Sequence, residues 1–211
     1  MKYPHIGRKE HALTPEFWEG CYRKKEDFWD HGAPSPGLAD FLAQEKYKPG
    51  KVLVPGCGRG HDCRELARHG FDVVGMDLAP SGVAEARKLA RQDRVAVRYV
   101  LGDCLRLPRR LWGKFDWVFE HTCFCAIDPD RRDDYVRAMT SALKPRGLFL
   151  GVFYHIQPKS GPPFGTTRKE LIERFSPRFE LVRERVPRSF PNRKGKELLM
   201  LWRKKSGGGR D

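Results

Sequence analysis

The stretch VLVPGCGRGHDCREL, Val52 to Leu66, sets three glycines at every second position between an apolar run and a helical pattern. Glycine admits positive φ and lets a ligand lie against bare backbone, and a helix starting just beyond points free N–H groups at the same spot. The chain is therefore held to a strand, a tight turn and a helix, with a binding site in the turn. Spacing narrows what binds. A dinucleotide fingerprint needs Gly-x-Gly-x-x-Gly, whereas Gly56, Gly58 and Gly60 alternate and His61 stands where the third glycine belongs. A phosphate loop is excluded too, since no Gly-Lys-Ser or Gly-Lys-Thr follows.

Around this junction short apolar runs alternate with helical patterns, as in parallel strands joined by helices. KVLVP (Lys51 to Pro55), FDVVGMD (Phe71 to Asp77), VAVRYVLGD (Val95 to Asp103), FDWVFEH (Phe115 to His121) and GLFLGVFY (Gly147 to Tyr154) read as five strands. Ala79 to Gln92 is helical by its Ala, Leu and Arg content, and a helix from Pro129 to Leu143 stops at Lys144-Pro145. FELVRERV and ELLMLWRK form a closing pair, set apart by the turn-rich PRSFPNRKGK. The expected fold is α/β, a doubly wound, mostly parallel seven-stranded sheet, whose ligand crevice lies at the carboxyl ends of the strands. With 211 residues, one domain over residues 1–205 is expected, and SGGGRD at 206–211 reads as a disordered tail.

Charge and cysteines bound the partners. Lys and Arg outnumber Asp and Glu by 41 to 27, a net charge of +14, yet no basic block exceeds a few residues, so a solvated enzyme surface is favoured over a nucleic-acid platform. RNA or another large anionic partner stays as the alternative. The six cysteines contain no Cys-x-x-Cys pair, so no metal site is expected. Neither a charged-then-apolar leader nor a run of about 20 apolar residues is present, so the expected setting is the cytoplasm, with reduced thiols and no membrane contact.

Two acids stand at successive strand ends. Asp77, followed by Leu78, closes the second strand, where a carboxylate can accept hydrogen bonds from both hydroxyls of a ribose. Asp103, followed by Cys104, closes the third, where it can read an adenine amino group. Either could instead be a cap or turn residue, but their joint placement at successive strand ends favours a shared ligand.

With these in place the chain resembles an S-adenosylmethionine (SAM)-dependent methyltransferase of the class I fold. The residues that carry the likeness are VPGCGRGHD, the Asp77 strand end and the LKPRG turn before the fifth strand. FWEGCYRKKEDFWDHGAPSP, FEHTCFCAIDPDRR, GVFYHIQPKSGPPF and NRKGKELLMLWRKK resemble the thiopurine S-methyltransferase superfamily, and within it the halide and thiol methyltransferases of plants. The resemblance implies SAM as cofactor and S-adenosylhomocysteine as product, with no metal. It also implies a small soft nucleophile as acceptor (thiol, hydrosulfide, halide, thiopurine or chalcogen species) and a monomer. It implies that residues 1–45 form an arm over the cofactor, with Trp18, Tyr22 and Trp29 lining the pocket; Tyr22 replaces the tryptophan usual in the halide and thiol branch. Gly56, Cys57 and Gly58 would hold the methionine end, Asp77 and Leu78 the ribose, and Asp103 with Cys104 the adenine.

Glu120 and His121 would face the methyl group, where the halide and thiol branch carries Asp-Tyr. That departure motivates the expectation that His121, with Tyr154, forms the acceptor side and that His121 takes a proton from a protic nucleophile. SGPPFGTT (Ser160 to Thr167) resembles the family's lid. Its Pro-Pro-Phe lies too late in the chain for an amino-methyltransferase of DNA, and Cys123 and Cys125 read as small buried residues.

Overall fold

A computed structural model of the protein describes residues 13–157 and 160–206. The strands are β1 (Lys51–Pro55), β2 (Asp72–Asp77), β3 (Val97–Leu101), β4 (Phe115–His121), β5 (Leu143–Tyr154), β6 (Phe179–Arg185) and β7 (Glu197–Lys204). They form one sheet in the order β3-β2-β1-β4-β5-β7-β6. β7 runs antiparallel to both its neighbours, β5 and β6, and the other pairings are parallel. The expected mostly parallel seven-stranded architecture is therefore present. β1, β2 and β4 are nearly continuous apolar runs because both faces of a central parallel strand are covered. The period of two sorts them into two cores: Leu53 and Val74 join Phe149, Phe153, Phe175 and Trp202 on one side. Val52, Val54 and Val73 join Phe119, Leu150 and Leu199 on the other.

The helices are α1 (Pro15–Lys24), α2 (Pro36–Gln44), α3 (His61–Arg68), α4 (Pro80–Gln92), α5 (Arg132–Ala142) and α6 (Arg168–Phe175). Local chemistry explains several starts. Thr14 and Ser35 cap α1 and α2, each followed by a proline at the first helical position, and the Thr167 hydroxyl accepts the Glu170 N–H at 3.2 Å to open α6.

Three boundaries differ from the sequence reading. β3 is confined to Val97–Leu101, short of the expected 95–103. Pro129–Arg131 makes a single 3-10 turn before α5 begins at Arg132. β5 begins at Leu143, because its pairing with β4 jumps from Phe115–Leu143 to Trp117–Leu148. The residues between bulge out around Pro145, which has no N–H to pair, and Arg146, at φ 60°. Residues 1–12 of the expected arm and residues 207–211 of the expected tail lie outside the described residues. Among the described residues no helix is long and apolar enough to cross a membrane.

Candidate active site

One cavity of about 650 Å³ opens at the carboxyl ends of the parallel strands, the size of a small-molecule site. Its floor begins at the glycine turn. Gly56, Gly58 and Gly60 have φ of 58°, 51° and 70°, the left-handed region in which a side chain is strained. At two of them space is closed as well: a Cβ on Gly56 would stand 2.7 Å from the Cys123 sulfur, and one on Gly60 2.3 Å from the Tyr99 hydroxyl.

Asp77 ends β2 beside the turn, buried but lining the cavity. Its Oδ2 accepts the Gly58 N–H at 2.8 Å and its Oδ1 the Ala79 N–H at 2.9 Å. Burial pushes its pKa above the ordinary carboxylate value against the pull of these amides. Asp103 lines the cavity next to Cys104 and also caps the 3-10 turn Cys104–Arg106, its Oδ1 accepting the Leu105 N–H at 2.8 Å. Capping and cavity placement therefore coexist. Leu78 lies on the wall as well.

The aromatic arm covers this end. Trp18, Tyr22 and Trp29 line the cavity and pack edge to face, with Trp29 centroids 5.4 Å from Trp18 and 5.7 Å from Tyr22. Tyr22 is wedged between the glycine turn and α4: a Cβ on Gly58 would meet its hydroxyl at 2.9 Å and one on Gly82 its ring at 3.1 Å. The arm is fastened by Glu19, whose carboxylate accepts both the backbone N–H and the hydroxyl of Ser81 at the start of α4.

The opposite end is formed by Tyr154, Arg193, Thr122 and the lid residues Pro162 and Pro163. The Arg193 guanidinium, 5% exposed, lies 4.9 Å over the Tyr154 ring. Thr122 has φ 63°, unusual for a β-branched residue. The lid is held from behind: the Phe164 N–H donates to the Cys125 carbonyl at 2.7 Å. Buried Arg132 donates to the Gly165 carbonyl at 3.0 Å and to Glu170 at 2.8 Å.

Four of the expected site residues do not line this cavity. The Cys57 thiol turns toward β2, where a Cβ on Gly75 would touch it at 2.9 Å, and Gly58 serves through its N–H to Asp77. Glu120 is fully buried behind the wall, accepting the Phe124 N–H on both oxygens at 3.1 Å and the Tyr135 hydroxyl at 3.1 Å. Burial lifts its pKa to about 7. His121 needs the largest correction. Its Nδ1 lies 3.1 Å from Asp62 Oδ2 and its Nε2 3.5 Å from Glu197 Oε1, so neither nitrogen is turned to the cavity as a base. Burial disfavours its charge, but Asp62, by charge and hydrogen bond, and the nearby Glu197 carboxylate win and raise its pKa to about 9. The two flanking carboxylates thus favour the imidazolium form, which has no lone pair to accept a proton.

Sequence reasoning missed Phe17, Thr122, Arg131 and Arg193 on the cavity wall. Arg193 sits in the NRKGKE run, which reads as a turn and carries part of the family likeness, but neither signal marked Arg193 as a site residue.

The sheet order, with such a cavity over the ends of β1, β2 and β4, is that of the class I SAM-dependent methyltransferases. A solved Burkholderia thailandensis 1,6-didemethyltoxoflavin-N1-methyltransferase with S-adenosylhomocysteine bound is similar to it: TM-score 0.74, 26% identity, covering 98% of this chain and 94% of that one. The family model for thiopurine S-methyltransferase matches residues 13–199, and the chain belongs to that family. Thiocyanate methyltransferase 1 of Arabidopsis thaliana is 33% identical over 190 residues, 89% of this chain and 84% of that protein. Thiopurine S-methyltransferase of Shewanella loihica is 25% identical over 187 residues, 80% of this chain and 85% of that protein.

Proposed function

We propose that this methyltransferase uses SAM to methylate a small soft nucleophile, a thiol or a small anion such as thiocyanate, hydrosulfide or a halide. The observation that carries this reading is a single cavity of about 650 Å³ with two chemically different ends. At one end a glycine cradle, Asp77 and Asp103 suit a nucleoside: carboxylates accept from ribose hydroxyls and an adenine amine, and Gly56 on the wall presents its backbone to an amino-acid moiety. Between the ends, the rings of Trp18, Tyr22 and Trp29 suit a cation from which water is excluded. Bound there, SAM supplies an electrophilic methyl group on a cationic sulfur.

The chain's own residues then position the acceptor. Tyr154 and Arg193 form its wall, the guanidinium attracting negative charge, while Pro162 and Pro163 and the aromatic arm keep water away. An anion needs no base, and a thiol beside a guanidinium ionises more readily. Asp77, Leu78, Gly56, Asp103 and Cys104 are assigned to the cofactor, Tyr154 and Arg193 to the acceptor. The enzyme is read as a monomer of the cytoplasm, where its six thiols, free among the described residues, stay reduced.

The test is S-adenosylhomocysteine release by the purified protein with thiocyanate, iodide, hydrosulfide, methanethiol, a thiopurine, tellurite and total RNA. Turnover of a small nucleophile that is lost in Asp77→Ala supports the assignment. Methylation of RNA alone refutes it.

A further inference from the structure

Behind the acceptor wall lies a partly buried row of alternating charges that a methyl transfer to a soft anion does not by itself require. Asp62 on α3 accepts the Ser35 N–H at 2.7 Å through Oδ1 and faces His121 Nδ1 at 3.1 Å through Oδ2. His121 Nε2 faces Glu197 Oε1 at 3.5 Å, and the same oxygen accepts from Arg193 at 3.3 Å. Arg193 then reaches the cavity over Tyr154. Glu197 and Arg193 are 2% and 5% exposed, so little water screens the row. One carboxylate thus serves two cations, at a single oxygen.

We propose that His121 is a positioning residue: as an imidazolium held by Asp62, it shares the Glu197 carboxylate with Arg193 and so leaves the Arg193 guanidinium with positive charge to offer an anionic acceptor. This rests on the reading of the Tyr154–Arg193 end as the acceptor site. Were His121 neutral, Glu197 would become a full counter-ion to Arg193, and the pull on an anion in the cavity would weaken. The other groups around the ring do not supply a competing charge in the same pH range. Glu120, next in β4, ionises near 7. His31, which stacks on Phe190 at 4.1 Å while Phe190 faces the His121 ring at 6.4 Å, has its pKa lowered by burial and by the nearby Arg193 and His121 charges. Asp62 and Glu197 are the two acids in contact, and Glu197, despite burial, is held below its ordinary value by His121. The raised pKa of His121 agrees with the geometry.

The test is thiocyanate binding to the complex with S-adenosylhomocysteine by calorimetry from pH 6 to 10, beside an NMR titration of the His121 ring. Thiocyanate stays an anion throughout, and a step owed to the amino group of S-adenosylhomocysteine would persist in His121→Gln, so the part lost in that variant reports the ring. The ring is expected to titrate near pH 9, and thiocyanate affinity to fall across that step by about threefold to tenfold, the scale of one charge removed at about 10 Å in a partly screened interior. His121→Gln should bind thiocyanate at neutral pH as weakly as the wild type at pH 10, lose the alkaline step, and bind S-adenosylhomocysteine normally. Glu197→Gln should lower the ring's titration point and tighten thiocyanate binding, and it tests the same link if His121→Gln fails to fold.

A ring that titrates below pH 7, or thiocyanate binding with no change across the ring's titration, overturns the proposal and leaves the acceptor reading standing. Thiocyanate binding with its alkaline step but no turnover of any small nucleophile supports this link and refutes that reading. No thiocyanate binding at neutral pH overturns both.

Discussion

Removing the carboxylate of Glu19 tests how the aromatic arm is tied to the sheet. Helix α4 starts at Pro80 after Ala79, which has no side-chain oxygen to cap it. The cap comes instead from α1, 62 positions away in sequence: Glu19 accepts the Ser81 N–H at 2.9 Å and the Ser81 hydroxyl at 2.5 Å. Loss of a capping oxygen costs about 1 kcal/mol, and loss of a carboxylate near a helix N-terminus about 0.3–1 kcal/mol more. Glu19→Ala should therefore lower the unfolding free energy by about 1–2 kcal/mol, read as a shift of the urea midpoint at unchanged slope. Because α1 carries Trp18 and Tyr22 over the cavity, the same energy should also loosen cofactor binding, weakening S-adenosylhomocysteine affinity by up to about tenfold. Hydrogen exchange of residues 15–24 should rise selectively. Ser81→Ala removes only the hydroxyl and should cost less, and the double variant should show a coupling of about 0.5–1 kcal/mol. The hydrogen bonds to Ser81 hold the Glu19 pKa low, so its contribution is present above the unfolded carboxylate pKa and is lost as pH falls through the lowered folded value. An unfolding midpoint and S-adenosylhomocysteine affinity both equal to wild type in Glu19→Ala would refute the tertiary cap and the arm's dependence on it.

Three other perturbations probe the cradle, the wall and the lid. Gly60→Ala combines left-handed strain of about 1–2 kcal/mol with a Cβ 2.3 Å from the Tyr99 hydroxyl. Thermal unfolding should fall sharply, and Tyr99→Phe in the same chain should restore only the part owed to the hydroxyl, since two ring carbons remain 2.8 Å from the Cβ. Glu120, with its pKa raised from 4.5 to about 7 in the fold, keeps a proton that the unfolded chain releases. Stability should therefore decline as pH rises from about 4.5 to 7, and Glu120→Gln should flatten that limb in urea melts taken across the range. Arg132→Met strips the lid of its buried anchor and leaves the Gly165 carbonyl unpaired, at a cost of about 2–4 kcal/mol, since Glu170 retains Arg174 at 2.9 Å. Steady-state kinetics should show KM for the acceptor rising more than KM for SAM.

Much of the end proposed for the cofactor was legible in order along the chain. Gly56 and Gly60 announce themselves because left-handed φ in a crowded turn leaves few alternatives to glycine, and Asp77 and Asp103 are marked by ending successive apolar runs. Trp18, Tyr22 and Trp29 followed from family likeness, and all three line the cavity. The acceptor end was far less readable. Glu120 and His121 share the end of β4 with the cavity wall, but which way their side chains turn depends on what else is buried there. Tyr135 and the Phe124 amide claim Glu120, while Asp62 and Glu197 claim His121. Arg193 was not singled out, because a guanidinium in a turn looks like solvated surface until Tyr154, at the end of β5, is seen beneath it and Glu197 beside it.

The sequence by itself determined the elements, the doubly wound sheet and the position of the glycine turn. Those follow from periodicity, steric limits on φ and the absence of an N–H in proline, which act over a few residues. Tertiary structure decided the electrostatics. Whether His121 is a base or a cation depends on Asp62, 59 positions before it, and on Glu197 at the start of β7. Their closeness to the ring outweighs the cost that burial puts on its charge. Charge state is set by distances and dielectric in three dimensions, and no spacing along the chain encodes them.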